Sequence, residues 1–146
     1  MTNLFESSMQ LIHSFLKESE ENIRMEIILD RRLLQEVQSN MKLLDTAKWQ
    51  QASEEYKKAV ILKLEEGAFV DWITFAGRLS RNGQGNSGRG LSREVGELLA
   101  QLHAIKSICE ILADFPEVQS IKLDSRLSGL RKKLNKLRMK LEERLS

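Results

Sequence analysis

LDSRLSGLRKKLNKLRMKLEERL, residues 123–145, carries leucine at every third or fourth position along its whole length. A strand returns to the same face every two residues and a helix every 3.6, so this spacing selects a helix. Leu123, Leu127, Leu130, Leu134, Leu137 and Leu141 fall on one stripe and resemble an a/d repeat over about three heptads. Such a stripe must be covered by another helix. It is therefore read as an interaction seam, packed within the chain or between chains. Gly129 interrupts it at a cost of about 1 kcal/mol relative to alanine.

The chain on either side of this stretch repeats the pattern. Asp114-Phe115-Pro116 ends the preceding helix, because the residue before proline avoids the helical region. Residues 117–146 then form one basic, leucine-rich helix. Upstream, Val95, Leu98, Leu102, Ile105, Cys109 and Leu112 step by three and four behind a Ser92 cap. Arg81 to Gly90 holds four glycines in ten residues and reads as a flexible loop. A short helix fits Phe69, Trp72, Ile73 and Ala76. Before it, Trp49, Ala52, Tyr56, Val60 and Leu64 suggest a helix capped by Asp45 or Thr46, with Gly67 as its closing residue.

The N-terminal segment has the longest periodic run. Phe5, Met9, Ile12, Leu16, Ile23, Ile27, Leu34, Val37, Met41 and Leu44 mark one apolar face behind an Asn3 cap. Unbroken to Asp45 it would be roughly 60 Å long. The polar run 17–22 and the Ser39-Asn40 pair are candidate breaks. Asp30 falls near this face and is read as lying at its rim.

The chain has 146 residues, one proline, one cysteine and no glycine before Gly67. So few breakers do not suit a β-protein of this length. The expected fold is all-α: an antiparallel bundle of four to five helices, with a long N-terminal helix and a coiled-coil-like C-terminal one, in a single domain spanning 1–146. No stretch approaches about 18 apolar residues, so no membrane span is expected. The N-terminus lacks a basic region followed by an apolar one, and Cys109 has no partner for an internal disulfide. Both observations suggest a cytoplasmic protein.

Catalytic signals are missing from the residues. His13 and His103 stand alone on their helices, outside H-E-x-x-H and E-x-x-H patterns. Cys109 occupies a seam position and reads as a buried structural thiol. Gly83-Gln-Gly85-Asn-Ser-Gly88 fits G-x-G-x-x-G in letters, but a helix precedes it where a phosphate loop needs a strand. The expectation is a chain with no enzymatic activity, no metal and no cofactor.

Charge is uneven. Residues 1–77 carry nine basic against thirteen acidic side chains, and residues 122–146 carry nine against three. Two functions follow from these features. The first is an adaptor or assembly subunit that pairs helix to helix with a protein partner or with itself as a homo-oligomer. The alternative is a small nucleic-acid-binding subunit of a larger machine. There Lys122, Arg126, Lys133, Lys136 and Lys140, with Arg78, Arg81, Arg89 and Arg93 around the loop, would meet phosphates.

Overall fold

The computed structural model describes residues 2–44, 52–81, 89–114 and 123–146. It is an all-α antiparallel helical bundle. The helices are α1 (Thr2–Leu44), α2 (Glu54–Leu62), α3 (Gly67–Arg81), α4 (Arg89–Asp114) and α5 (Leu123–Leu145). Neither candidate break interrupts α1. With 43 residues it is about 65 Å long. Leu, Glu, Gln, Arg and Lys dominate it and lose little rotamer freedom in a helix.

Several boundaries differ from the sequence reading. Thr2 is already helical, so Asn3 does not cap α1. The cap of α2 is Ser53, whose hydroxyl accepts the Tyr56 N–H at 3.2 Å. Gly67 opens α3 where the spacing predicted it to close α2. Arg81 belongs to α3, and α4 begins at Arg89, so Ser92 lies inside its first turn. Residues 45–51, 82–88 and 115–122 lie outside the described residues. Among them are Asp45, Thr46, Trp49, most of the glycine-rich stretch and the first turn expected of the last helix.

One buried cluster draws side chains from all five helices. Leu33, Val37, Ile61, Phe69, Val95, Leu98, Leu102, Leu134, Leu137 and Leu141 are fully enclosed. α1 packs on α3 and α5, and α4 packs on α2, α3 and α5. Side-chain pairs fix the directions. Arg144 near the end of α5 meets Glu26 and Asp30 of α1, and Lys140 of α5 meets Glu94 near the start of α4. Both neighbours of α5 therefore run antiparallel to it.

Three polar residues of α1 seat the α2–α3 corner. Asn40 is fully buried; its Nδ2 donates to the Glu65 carbonyl at 2.9 Å, and its Oδ1 accepts the Glu65 N–H at 2.8 Å. Glu36 accepts the Phe69 N–H at 3.1 Å. α3 has no acidic residue in its own first turn, so α1 supplies the negative charge that a helix N-terminus favours. Asp30 is buried as well. It accepts the Trp72 Nε1–H at 2.7 Å and the Arg144 Nε–H at 3.0 Å. The rim position expected for Asp30 is thus corrected: a basic group from another helix reaches it, which offsets the cost of burying its charge.

Burial pushes the Glu36 carboxyl above its ordinary value of 4.5, against the pull of the Ala68 and Phe69 backbone N–H groups. A carboxyl with a raised folded pKa binds its proton more tightly folded than unfolded. Its stabilising effect is complete below 4.5 and is lost as pH rises through the folded value. Glu36→Gln removes this proton linkage while keeping an acceptor for Phe69. Thermal melts from acid to neutral pH should show the wild type losing ground to E36Q as pH rises. Parallel curves would contradict the assignment.

Candidate protein interaction surface

Leucines 127, 130, 134, 137 and 141 are all buried within the chain itself. They belong to the cluster shared with α1 and α4. Of the two packings left open for this seam, within the chain or between chains, the structure has the first for these five leucines: α1 and α4 cover them. The side chain of Leu123 lies outside the described residues.

The basic residues divide. Arg126, Lys133 and Lys136 are exposed on α5, and Arg126 and Lys133 border a cleft over Ala104 and Ile105 of α4. Lys140 is held by Glu94 at 2.6 Å, and Arg93 by Glu97 at 3.4 Å. Arg78 is exposed on α3. Lys122 and the side chains of Arg81 and Arg89 lie outside the described residues. Pairing removes two cations from the proposed set and leaves three outward on α5.

Catalytic groupings are not assembled among the described residues. His13 is exposed on α1, and Cys109 is buried in the core. Burial raises the Cys109 pKa and keeps the thiol protonated and unreactive. His103 faces Glu66 at 3.2 Å, beside Lys106. No group of three or more metal-ligating side chains exists among the described residues. No helix among them is long and apolar enough to cross a membrane.

The feature with no counterpart in the core is the first half of α1. From Glu6 to Ile28 every described side chain is exposed or half-exposed. Met9, Ile12, Leu16, Ile23 and Ile27, read from the spacing as one apolar face, are open to solvent; Ile12, Leu16 and Ile23 each stand more than half exposed. Leu11 is 72% exposed, and Met25 and Ile28 add further apolar area. Scattered surface leucines are ordinary, but a contiguous apolar stripe marks a contact surface. The ion pair from Arg144 Nη2 to Glu26 Oε1, at 2.7 Å, sits at the base of this arm.

Helix length provides the reason and could have signalled the arm. α5, the helix that lies along α1, has 23 residues and is about 35 Å long. It covers the C-terminal half of α1 and stops level with Glu26 and Asp30. The arm beyond is about 36 Å of helix with the wrong surface for solvent. No protein-family model matches this chain, and no curated protein or solved structure gives a significant match.

Proposed function

We propose that this chain is a non-enzymatic interaction protein, an adaptor or assembly subunit acting in the cytoplasm by helix–helix pairing through the apolar face of the α1 arm. The observation that carries this reading is the exposure of Met9, Ile12, Leu16 and Ile23 on one side of a helix that, in this stretch, no other element among the described residues covers. An amphipathic helix in globular proteins draws most of its stability from packing its apolar face. A partner helix would supply that packing to the arm, as in helix-in-groove recognition. The body of the bundle would act as the anchor that presents the arm.

A second reading rests on the three outward cations Arg126, Lys133 and Lys136, which would bind a polyanion. Ionic strength separates the two. Association driven by apolar burial persists in salt, whereas phosphate contacts weaken steeply as counterions compete.

The test is the double variant Leu16→Glu with Ile23→Glu. Both positions are more than half exposed, so the bundle's melting temperature should stay within the small range typical of surface changes. Association with partners, followed by light scattering and by capture from the native source, should be lost at both low and high salt. If the variant keeps every association of the wild type, the arm is not the pairing surface.

A further inference from the structure

We infer that the cleft between α4 and α5 is a binding site for a small amphiphilic anion, with one negatively charged head on a short apolar body. The site is separate from the α1 arm and does not depend on the arm being the pairing surface.

The cleft encloses about 240 Å³, and side-chain size explains it. Ala104 of α4 and Gly129 of α5 are exposed and small, so the groove reaches down to Ile105 and Leu130 of the core. Glycine is the poorest helix former after proline, and a Cβ at position 129 would meet nothing within 4 Å. Packing within the bundle therefore does not call for glycine here. Its missing side chain keeps the floor of the cleft reachable from outside.

Charge along the cleft is one-sided. Arg126, Lys133 and Lys140 are seven residues apart and share one side of α5. Lys140 meets Glu94 of α4 across the groove at 2.6 Å. The two helices are antiparallel, so the same register sets Gln101 opposite Lys133 and Ile108 opposite Arg126. Gln101 and Lys133 border the cleft together. The ladder thus gives a carboxylate to Lys140, a neutral amide to Lys133 and an isoleucine to Arg126. Among the described residues neither Arg126 nor Lys133 pairs with a carboxylate. Glu97 and Asp124, on the same two helices, are held by Arg93 and Lys57.

A bound anion supplies what the ladder omits. Arg126 and Lys133 are about 10 Å apart along the helix axis, and both side chains are long enough to converge on one head group above Gly129. A guanidinium grips a carboxylate as a fork and an ammonium attracts it as a point charge. The Gln101 amide adds a donor at the rim. An apolar body on that head covers Ala104 and the floor at Ile105 and Leu130, which is favourable burial. The volume lies below the range of about 300–1,000 Å³ that takes drug-sized molecules, so the body is short. A bare anion would leave the floor uncovered, and a neutral chain would leave both cations unpaired.

The test uses the full chain and octanoate as the probe, below its micelle-forming concentration, followed by amide shifts in NMR spectra. Saturable shifts should centre on Gln101, Ala104 and Gly129. Inorganic phosphate and 1-octanol each carry half of the required chemistry. Both should bind at least about tenfold more weakly, the factor that one hydrogen bond to a charged group supplies. Arg126→Gln combined with Lys133→Gln should abolish the octanoate response; both side chains are exposed, so the melting temperature should hold. Gly129→Leu should block the cleft as well, and the better helix former should not lower the melting temperature. Phosphate binding as tightly as octanoate would mean a cationic surface only and overturn the inference. Octanoate shifts confined to the apolar stripe of the α1 arm, or no saturable shift at the cleft, would overturn it too.

Discussion

Replacing Asp30 with alanine should destabilise the bundle by about 3 kcal/mol, because it strands charged and polar partners inside the protein. Asp30 is 4% exposed and holds Trp72 Nε1 and Arg144 Nε at once. Its removal leaves the indole N–H without its acceptor and breaks the Asp30 contact to Arg144. The figure sits at the low end for a broken buried pair, since the Arg144 side chain remains a quarter exposed and keeps Glu26. Asp30→Asn retains an acceptor for Trp72 and should lose less. Urea unfolding, followed by circular dichroism, measures both. An Asp30→Ala change within about 0.5 kcal/mol of wild type, the range of ordinary surface substitutions, would mean that the network is absent in solution.

Leu134→Ala should cost about 2 to 5 kcal/mol, the span seen when a buried leucine is cut back to a methyl group. Leu134 has no exposed surface and lies in the cluster that joins α1, α4 and α5. Both the lost transfer free energy and the residual cavity contribute. Met139, on the same helix and 58% exposed, is the control. Met139→Ala should stay within about 0.5 kcal/mol. The loss at Leu134 should not depend on protein concentration, because the leucines of α5 are covered by their own chain. A loss that vanished at high concentration would instead place this row between chains.

The two substitutions probe different kinds of information. The role of Leu134 was legible in its spacing, since a leucine every three or four residues needs an apolar cover. The role of Asp30 was legible only as an irregularity in an apolar face. Its burial depends on Arg144, 114 positions away, and on Trp72 in a third helix. Asn40 and Glu36 are similar: each looks like an ordinary polar residue of α1 until the α2–α3 corner is folded against it.

The arm was half legible. Its apolar face was plain from Phe5, Met9, Ile12 and Leu16, and so was the length of α1. Its exposure was not, because the spacing of an apolar stripe is the same whether or not a neighbour covers it. The α5 seam is covered by its own chain, whereas the stripe on the first half of α1 is open.

By itself the sequence determined that the chain is helical and where most apolar faces lie. Periodicity and the scarcity of glycine and proline are local properties, written into each segment independently. Only the tertiary structure decided which faces are core and which remain open. That choice depends on matching the lengths of separate helices: the 23 residues of α5 cannot span the 43 of α1, and the remainder becomes the arm.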